Sequence, residues 1–200
     1  MRSKRGGNMR FWIQAVAACA LLIAAFFLLQ QIQPGKASEI TAAADAILVD
    51  TLKDGSIVTL NRNSGLTVSG HFNKKERRMQ LHGEAYFEVA HDQSKPFIIE
   101  IQKIEIQAVG TAFNVDNATE PGKITVTVTE GKVLVRTPGE HIFLAAGEEV
   151  VYDIVQGKLS KNQIPQNPNT LAYKTRAFQF DGTPLGAVVQ QMQNAYGVRI

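Results

Sequence analysis

The sequence predicts an all-β exported body of sandwich, barrel or solenoid type behind one N-terminal transmembrane helix, with the beginning of a β-α-β unit at its C-terminal end. Three observations carry this. One apolar run, Phe11 to Leu29, is broken only by Gln14. From Ile47 onward, short alternating runs recur with turn residues between them. After Thr170 the period changes from two to that of a helix.

The apolar run (FWIQAVAACALLIAAFFLL) would span about 28 Å as a helix at about 1.5 Å per residue, near the thickness of bilayer hydrocarbon. A buried soluble helix is seldom apolar on every face over such a length. The formal charge is +3, with 21 basic and 18 acidic residues. Arg2, Lys4, Arg5 and Arg10 all precede the run, and the rest of the chain is one charge short of neutrality. A basic nucleic-acid-binding body is therefore excluded, and the four cations become a topology signal that keeps residues 1–10 in the cytoplasm and sends the body across. A cleaved signal peptide is the competing reading, but its apolar core would be about 7–15 residues and Lys36 spoils the small-residue cleavage pattern. One cysteine, Cys19, excludes an intrachain disulfide framework. Residues 30–45 are polar, with Pro34-Gly35 stopping any continuing helix, and read as a stalk.

In the body, residues 46–160, Asp54-Gly55 between two apolar runs predicts a tight hairpin. Arg77 to Val89 reads as one strand, with Met79, Leu81, Ala85, Phe87 and Val89 on one face and His82, Glu84, Tyr86 and Glu88 on the other. Strands follow at 97–101, 104–109, 124–128, 133–135, 142–144 and 150–152. Residues 161–175 read as an extended linker containing Pro165 and Pro168. Phe178–Phe180 reads as a strand, followed by a helix capped by Thr183, entered by Pro184 and stopped by Gly197. Val198–Ile200 would open a second strand.

Catalytic patterns are scarce. His82, Glu84 and Glu88 on one strand face, near His91 and Asp92, meet the geometric minimum for a metal site, but no completing ligand has recognisable spacing, and the polar, solvated side of a half-buried sheet is the better account of them. No phosphate loop or nucleophile elbow occurs, so no cofactor is implied and an enzyme is not expected. Gly110-Thr111 admits two readings. It is an ordinary turn, or a strained step at which the threonine hydroxyl attacks the preceding carbonyl and the chain cleaves itself.

Five stretches in order resemble the FecR-type periplasmic domain. They are Leu52-Lys53-Asp54-Gly55-Ser56-Ile57-Val58-Thr59-Leu60-Asn61; Gly83-Glu84-Ala85-Tyr86-Phe87-Glu88-Val89-Ala90, followed by Pro96-Phe97; Val109-Gly110-Thr111-Ala112-Phe113-Asn114-Val115; Val126-Thr127-Val128-Thr129-Glu130-Gly131-Lys132-Val133; and Leu144-Ala145-Ala146-Gly147-Glu148. Residues 176–200 are similar to the opening of the secretin/TonB short N-terminal-like module. The resemblance implies a β-helix-like periplasmic unit on a single-pass inner-membrane protein of bacteria. Its implied partners are the signalling domain of an outer-membrane TonB-dependent receptor and an extracytoplasmic-function sigma factor. It also implies that the Gly110-Thr111 pair matches a self-cleavage step of some members. The sequence departs from the family at both ends, with a tail of residues 1–10 in place of a folded cytoplasmic domain and a C-terminal module that stops after its helix. A membrane-tethered periplasmic binding or adaptor domain without sigma-factor activity is therefore the alternative.

Overall fold

The structure is a computed structural model and describes residues 7–32, 36–42, 44, 46–163 and 168–196. It divides into two compact units, Met1–Gly35 and Lys36–Ile200. The first contains helix α1 (Gly7–Ile32). Trp12, Val16, Leu21, Ile23, Phe26 and Phe27 are all exposed on it. Among the described residues no helix is long and apolar enough to cross a membrane, the described side chains of α1 being those of 12–27. Arg2, Lys4 and Arg5 lie outside the described residues, and Arg10 falls within α1.

The second unit is built on two seven-stranded sheets. The first holds β1 (Ser38–Thr41), β4 (Gly65–Val68), β5 (Arg77–His82), β7 (Phe97–Ile101), β8 (Ile104–Ala108), β11 (Lys132–Arg136) and β12 (His141–Ala145), in that spatial order. The second holds β2 (Leu48–Thr51), β3 (Ile57–Leu60), β6 (Glu84–Glu88), β9 (Ala112–Asp116), β10 (Lys123–Glu130), β13 (Glu149–Asp153) and β14 (Lys158–Asn162), again in chain order across the sheet. The chain thus advances along both sheets together, crossing between them after each strand or hairpin. Every described ladder is antiparallel except β5 with β7, where the chain makes a single excursion through β6. Of the three all-β architectures open to the sequence, the observed one is two sheets facing a shared core. Phe87 and Phe113 of the second sheet stack with centroids 5.4 Å apart, and Phe97 of the first meets Phe87 edge-on at 5.9 Å. Burying each such ring stabilises the fold by roughly 1.5–3 kcal/mol.

Several elements differ from the sequence expectation. The strand foreseen from Arg77 to Val89 is two strands on opposite sheets, broken at Gly83, whose φ is +91°. A Cβ at Gly83 would lie 2.7 Å from the Ser64 Cα, so the corner accepts glycine alone. The Gly83 N–H donates to the Asn117 Oδ1 at 2.7 Å and the Glu84 N–H to the Ser64 Oγ at 2.8 Å, which satisfies the amides the corner takes out of the ladders. Alternation alone cannot register such a corner, because the apolar period resumes in phase beyond it.

The stalk is only partly a stalk. Ser38–Thr41 is the edge strand β1 on β4, and Ala42 is buried. Within the expected linker, Asn169, Ala172 and Tyr173 are buried and Ala172–Thr175 is a helical turn, α2, while 164–167 lie outside the described residues. Phe178–Phe180 is not paired as a strand. Helix α3 (Leu185–Tyr196) starts just after Pro184, whose carbonyl accepts from the Ala187 and Val188 N–H groups at 2.9 and 3.1 Å. Thr183 therefore lies one residue too early to cap it, and Gly197 and Val198–Ile200 fall outside the described residues.

Candidate functional site

The quoted motif residues separate by role once folded. Phe87, Phe113 and Val115 are fully buried between the sheets and hold the core. Asp54 and Gly55 form the predicted β2–β3 turn, where Asp54 accepts from the Ser56 N–H at 3.1 Å and the Ser56 Oγ at 2.6 Å. Gly147 and Glu148 shape another turn. The Gly147 N–H donates to the Val128 carbonyl at 2.8 Å, and Glu148 accepts from the Ala145 N–H and pairs with Lys161 at 2.6 Å.

Three motifs meet on the outer face of the second sheet. Glu84 on β6 sits between Asn61, just past β3, and Asn114 on β9. Its Oε2 accepts from the Asn61 Nδ2 at 2.6 Å and its Oε1 from the Asn114 Nδ2 at 2.9 Å. Asn114 turns its Oδ1 outward to accept from the Tyr173 hydroxyl at 2.8 Å, so α2 closes the network from above. Glu84 is only 7% exposed, and Asp116 is its cross-strand partner. Burial, reinforced by the Asp116 charge and opposed by the two asparagine amides, pushes the Glu84 carboxyl up to about 7. Burial also raises the Tyr173 hydroxyl well above its ordinary value, with Glu84 and Asp116 adding to it. Beside the network lies a cleft of about 110 Å³, lined by Asn61, Glu84, Asp116, Thr119, Tyr173 and Gln191 among others.

Next to this face, Tyr86, Ala112 and Tyr173 form a small apolar cluster with Ile47 and Leu171. The Lys174 Nζ lies 3.7 Å from the Tyr86 ring centroid and also pairs with Glu88. The Tyr86 hydroxyl and the Thr129 Oγ1 are 2.8 Å apart, and the latter donates to the Ala112 carbonyl.

Gly110 and Thr111 lie where the chain enters β9. Gly110 has a φ of +73°, and a Cβ there would sit 2.5 Å from the His91 Nδ1. Gly131, at φ +79°, follows Glu130 in the turn between β10 and β11, and a Cβ on it would meet the Thr111 Cγ2 at 2.8 Å. Both glycines are thus required by close packing around the step. Among the described residues, the Thr111 Oγ1 is a buried side-chain oxygen with no hydrogen-bond partner.

The metal reading of His82, Glu84 and Glu88 does not survive the Gly83 corner. His82 is exposed at the end of β5 in the first sheet, whereas Glu84 and Glu88 belong to the second. The shared face assumed for the three residues does not exist.

Compared with models of protein families, residues 38–134 match that of the FecR protein. These residues belong to the FecR family. The match begins at the first residue of β1, which places the C-terminal half of the expected stalk inside the FecR domain. Among solved structures, two crystal structures of a candidate anti-sigma factor from Parabacteroides distasonis ATCC 8503 are similar, each with a TM-score of 0.67 at 26% identity. They cover 81% and 80% of this chain and 76% and 75% of theirs. No curated protein matches the sequence.

Two further residues of the FecR domain and its extension escaped the sequence reading. Arg77 is fully buried, and its signal was present: it occupies the same alternating positions as Met79 and Leu81. Tyr173 lies in a polar stretch with no period, and nothing local marks it as the lid of the Glu84 network.

Proposed function

We propose that this FecR-family chain is a single-pass inner-membrane signalling protein. Its exported body senses the signalling domain of an outer-membrane TonB-dependent receptor, and its output is the activity of an extracytoplasmic-function sigma factor. The observation that carries an anti-sigma regulatory role is the FecR match together with the TM-score of 0.67 to a candidate anti-sigma factor. The membrane part of the reading is supported by the all-round apolar stretch 11–29 and by the four cations before it. The nature of the site supports a binding role rather than turnover. Its buried polar groups are spent on one another and on Tyr173, which suits a switchable recognition face better than a reaction centre.

The test is co-purification of the full chain from membranes with two candidates, a receptor signalling domain and a sigma factor. Capture of both is expected. Capture of the receptor domain alone would replace this reading with the tethered adaptor, and capture of neither would reject it.

A second reading concerns the Gly110-Thr111 step and is favoured by the buried, unpartnered Thr111 Oγ1. Attack of that hydroxyl on the Gly110 carbonyl carbon would form an ester as the Gly110–Thr111 amide breaks. Water would then divide the chain, leaving a Gly110 carboxylate and a free Thr111 amine.

A further inference from the structure

The residues after 168 are knitted into one body by Asn169. Its Nδ2 donates to the Gln179 carbonyl at 3.0 Å and to the Gln191 Oε1 at 2.7 Å, and its Oδ1 accepts from the Gln179 N–H at 2.7 Å. α2, the 177–180 segment and α3 are therefore tied to a single point. This body meets the second sheet through Tyr173 on Asn114, Lys174 on Glu88 and Tyr86, the Arg62 guanidinium donating to the Ala195 carbonyl, and the packing of Tyr173 and Leu171 with Tyr86 and Ala112.

We propose that residues 169–196 form a strap whose seating is governed by the charge on Glu84: the neutral carboxyl keeps the strap down, and the carboxylate lifts it and uncovers the Asn61–Glu84–Asn114 face. Tyr173 is the pin, because its hydroxyl reaches Glu84 through a single intervening side chain, Asn114. With the strap seated, Glu84 is buried beneath Asn114 and Tyr173 at the side of the narrow cleft, and Asp116 stands beside it in cross-strand register. A carboxylate there is both dehydrated and next to a like charge. With the strap lifted, water reaches Glu84 and screens it from Asp116. The charged and titratable groups around Glu84 are Asp116 of β9, Tyr86 of β6 and Tyr173 of α2. Arg62, next to Asn61, is directed at Ala195, and Lys174 at Glu88.

The sign follows from linkage. The seated state holds the Glu84 proton up to about pH 7, above the ordinary carboxyl value of 4.5 to which the lifted state tends. Rising pH therefore favours lifting, by up to about tenfold per pH unit for one proton between about 4.5 and 7, and the effect levels off above 7, where both states are ionised. This inference does not depend on which partner the protein serves.

Hydrogen exchange on the full chain in detergent tests it. The Lys174, Thr175 and Arg176 amides donate to the Leu171 and Ala172 carbonyls and report on the strap, while the Val128 amide, bonded to the Glu148 carbonyl, reports on the body. After correction for intrinsic exchange, strap protection should fall by up to about tenfold per unit from about pH 5 to 6.5 and level off above about 7, with Val128 unchanged. Glu84→Gln should remove the pH dependence. Tyr173→Phe should lower strap protection at every pH. A level wild-type profile, a Glu84→Gln profile that follows the wild type, or a Tyr173→Phe chain as protected as the wild type would overturn the proposal. Should Glu84→Gln not fold, the other two measurements still decide it.

Discussion

Asp54, in the β2–β3 turn of the second sheet, and Arg77, at the start of β5 in the first, form a buried ion pair: the Asp54 Oδ2 lies 2.8 Å from the Arg77 Nη1, with side-chain exposures of 5% and 1%. The guanidinium also donates to the Ala90, Lys95 and Asp92 carbonyls at 2.7, 2.9 and 3.3 Å, and its carbon lies 5.3 Å from the Phe97 ring centroid. One arginine thus ties the β2–β3 turn to the loop before β7. Arg77→Met should cost about 3–5 kcal/mol in urea unfolding, because it leaves a buried carboxylate and three carbonyls without their donor. Arg77→Lys should recover little of this, since a single ammonium cannot reproduce the fork. A loss below about 1 kcal/mol would show that the pair does not staple the sheets.

Gly83→Ala should destabilise by more than about 2 kcal/mol, since it combines the strain of φ +91° with a clash against Ser64 backbone. Gly55→Ala supplies the control. Its φ is +85°, but the space around it is open, so only conformational strain of about 1 kcal/mol is expected. Equal losses at the two positions would rule out close packing as the reason for Gly83.

Global stability should carry the mark of Glu84. Its carboxyl is raised from 4.5 to about 7 in the folded chain, so the folded state holds a proton that the unfolded state has already released. The unfolding free energy should therefore decline as pH rises from about 4.5 to 7, by up to about 3 kcal/mol in all, and level off above. Glu84→Gln should flatten this slope in denaturant titrations taken across that range. An unchanged slope would assign it to other groups.

Thr111 yields a result by mass spectrometry. If the step reacts, the intact mass of purified chain resolves into two fragments meeting between Gly110 and Thr111, and Thr111→Ala restores one. A single full-length mass in the wild type removes the self-cleavage reading. In that case Thr111→Val should be neutral or stabilising by about 1 kcal/mol, since it deletes a buried hydroxyl that has no partner.

Local chemistry made much of the architecture legible from sequence. Asp54-Gly55 announces its hairpin because few residue pairs adopt that turn, and Phe87, Phe113 and Val115 show their burial through alternation. The helical period of 185–196 is likewise a local property. The Gly83 corner was not legible, because the apolar phase is the same on either side of it while the strands belong to different sheets.

The sequence by itself determined the all-β character of the body, its principal hairpin and much of its core, since each follows from the side chains of a single short stretch. Only the tertiary structure decided that Asn61, Glu84 and Asn114 share one face, that Tyr173 covers them, and that His82 does not join them. The physical reason is separation along the chain. The Glu84 network joins residues 23, 30 and 59 positions apart, and the ionisation of a carboxyl group depends on how much water the fold excludes from it.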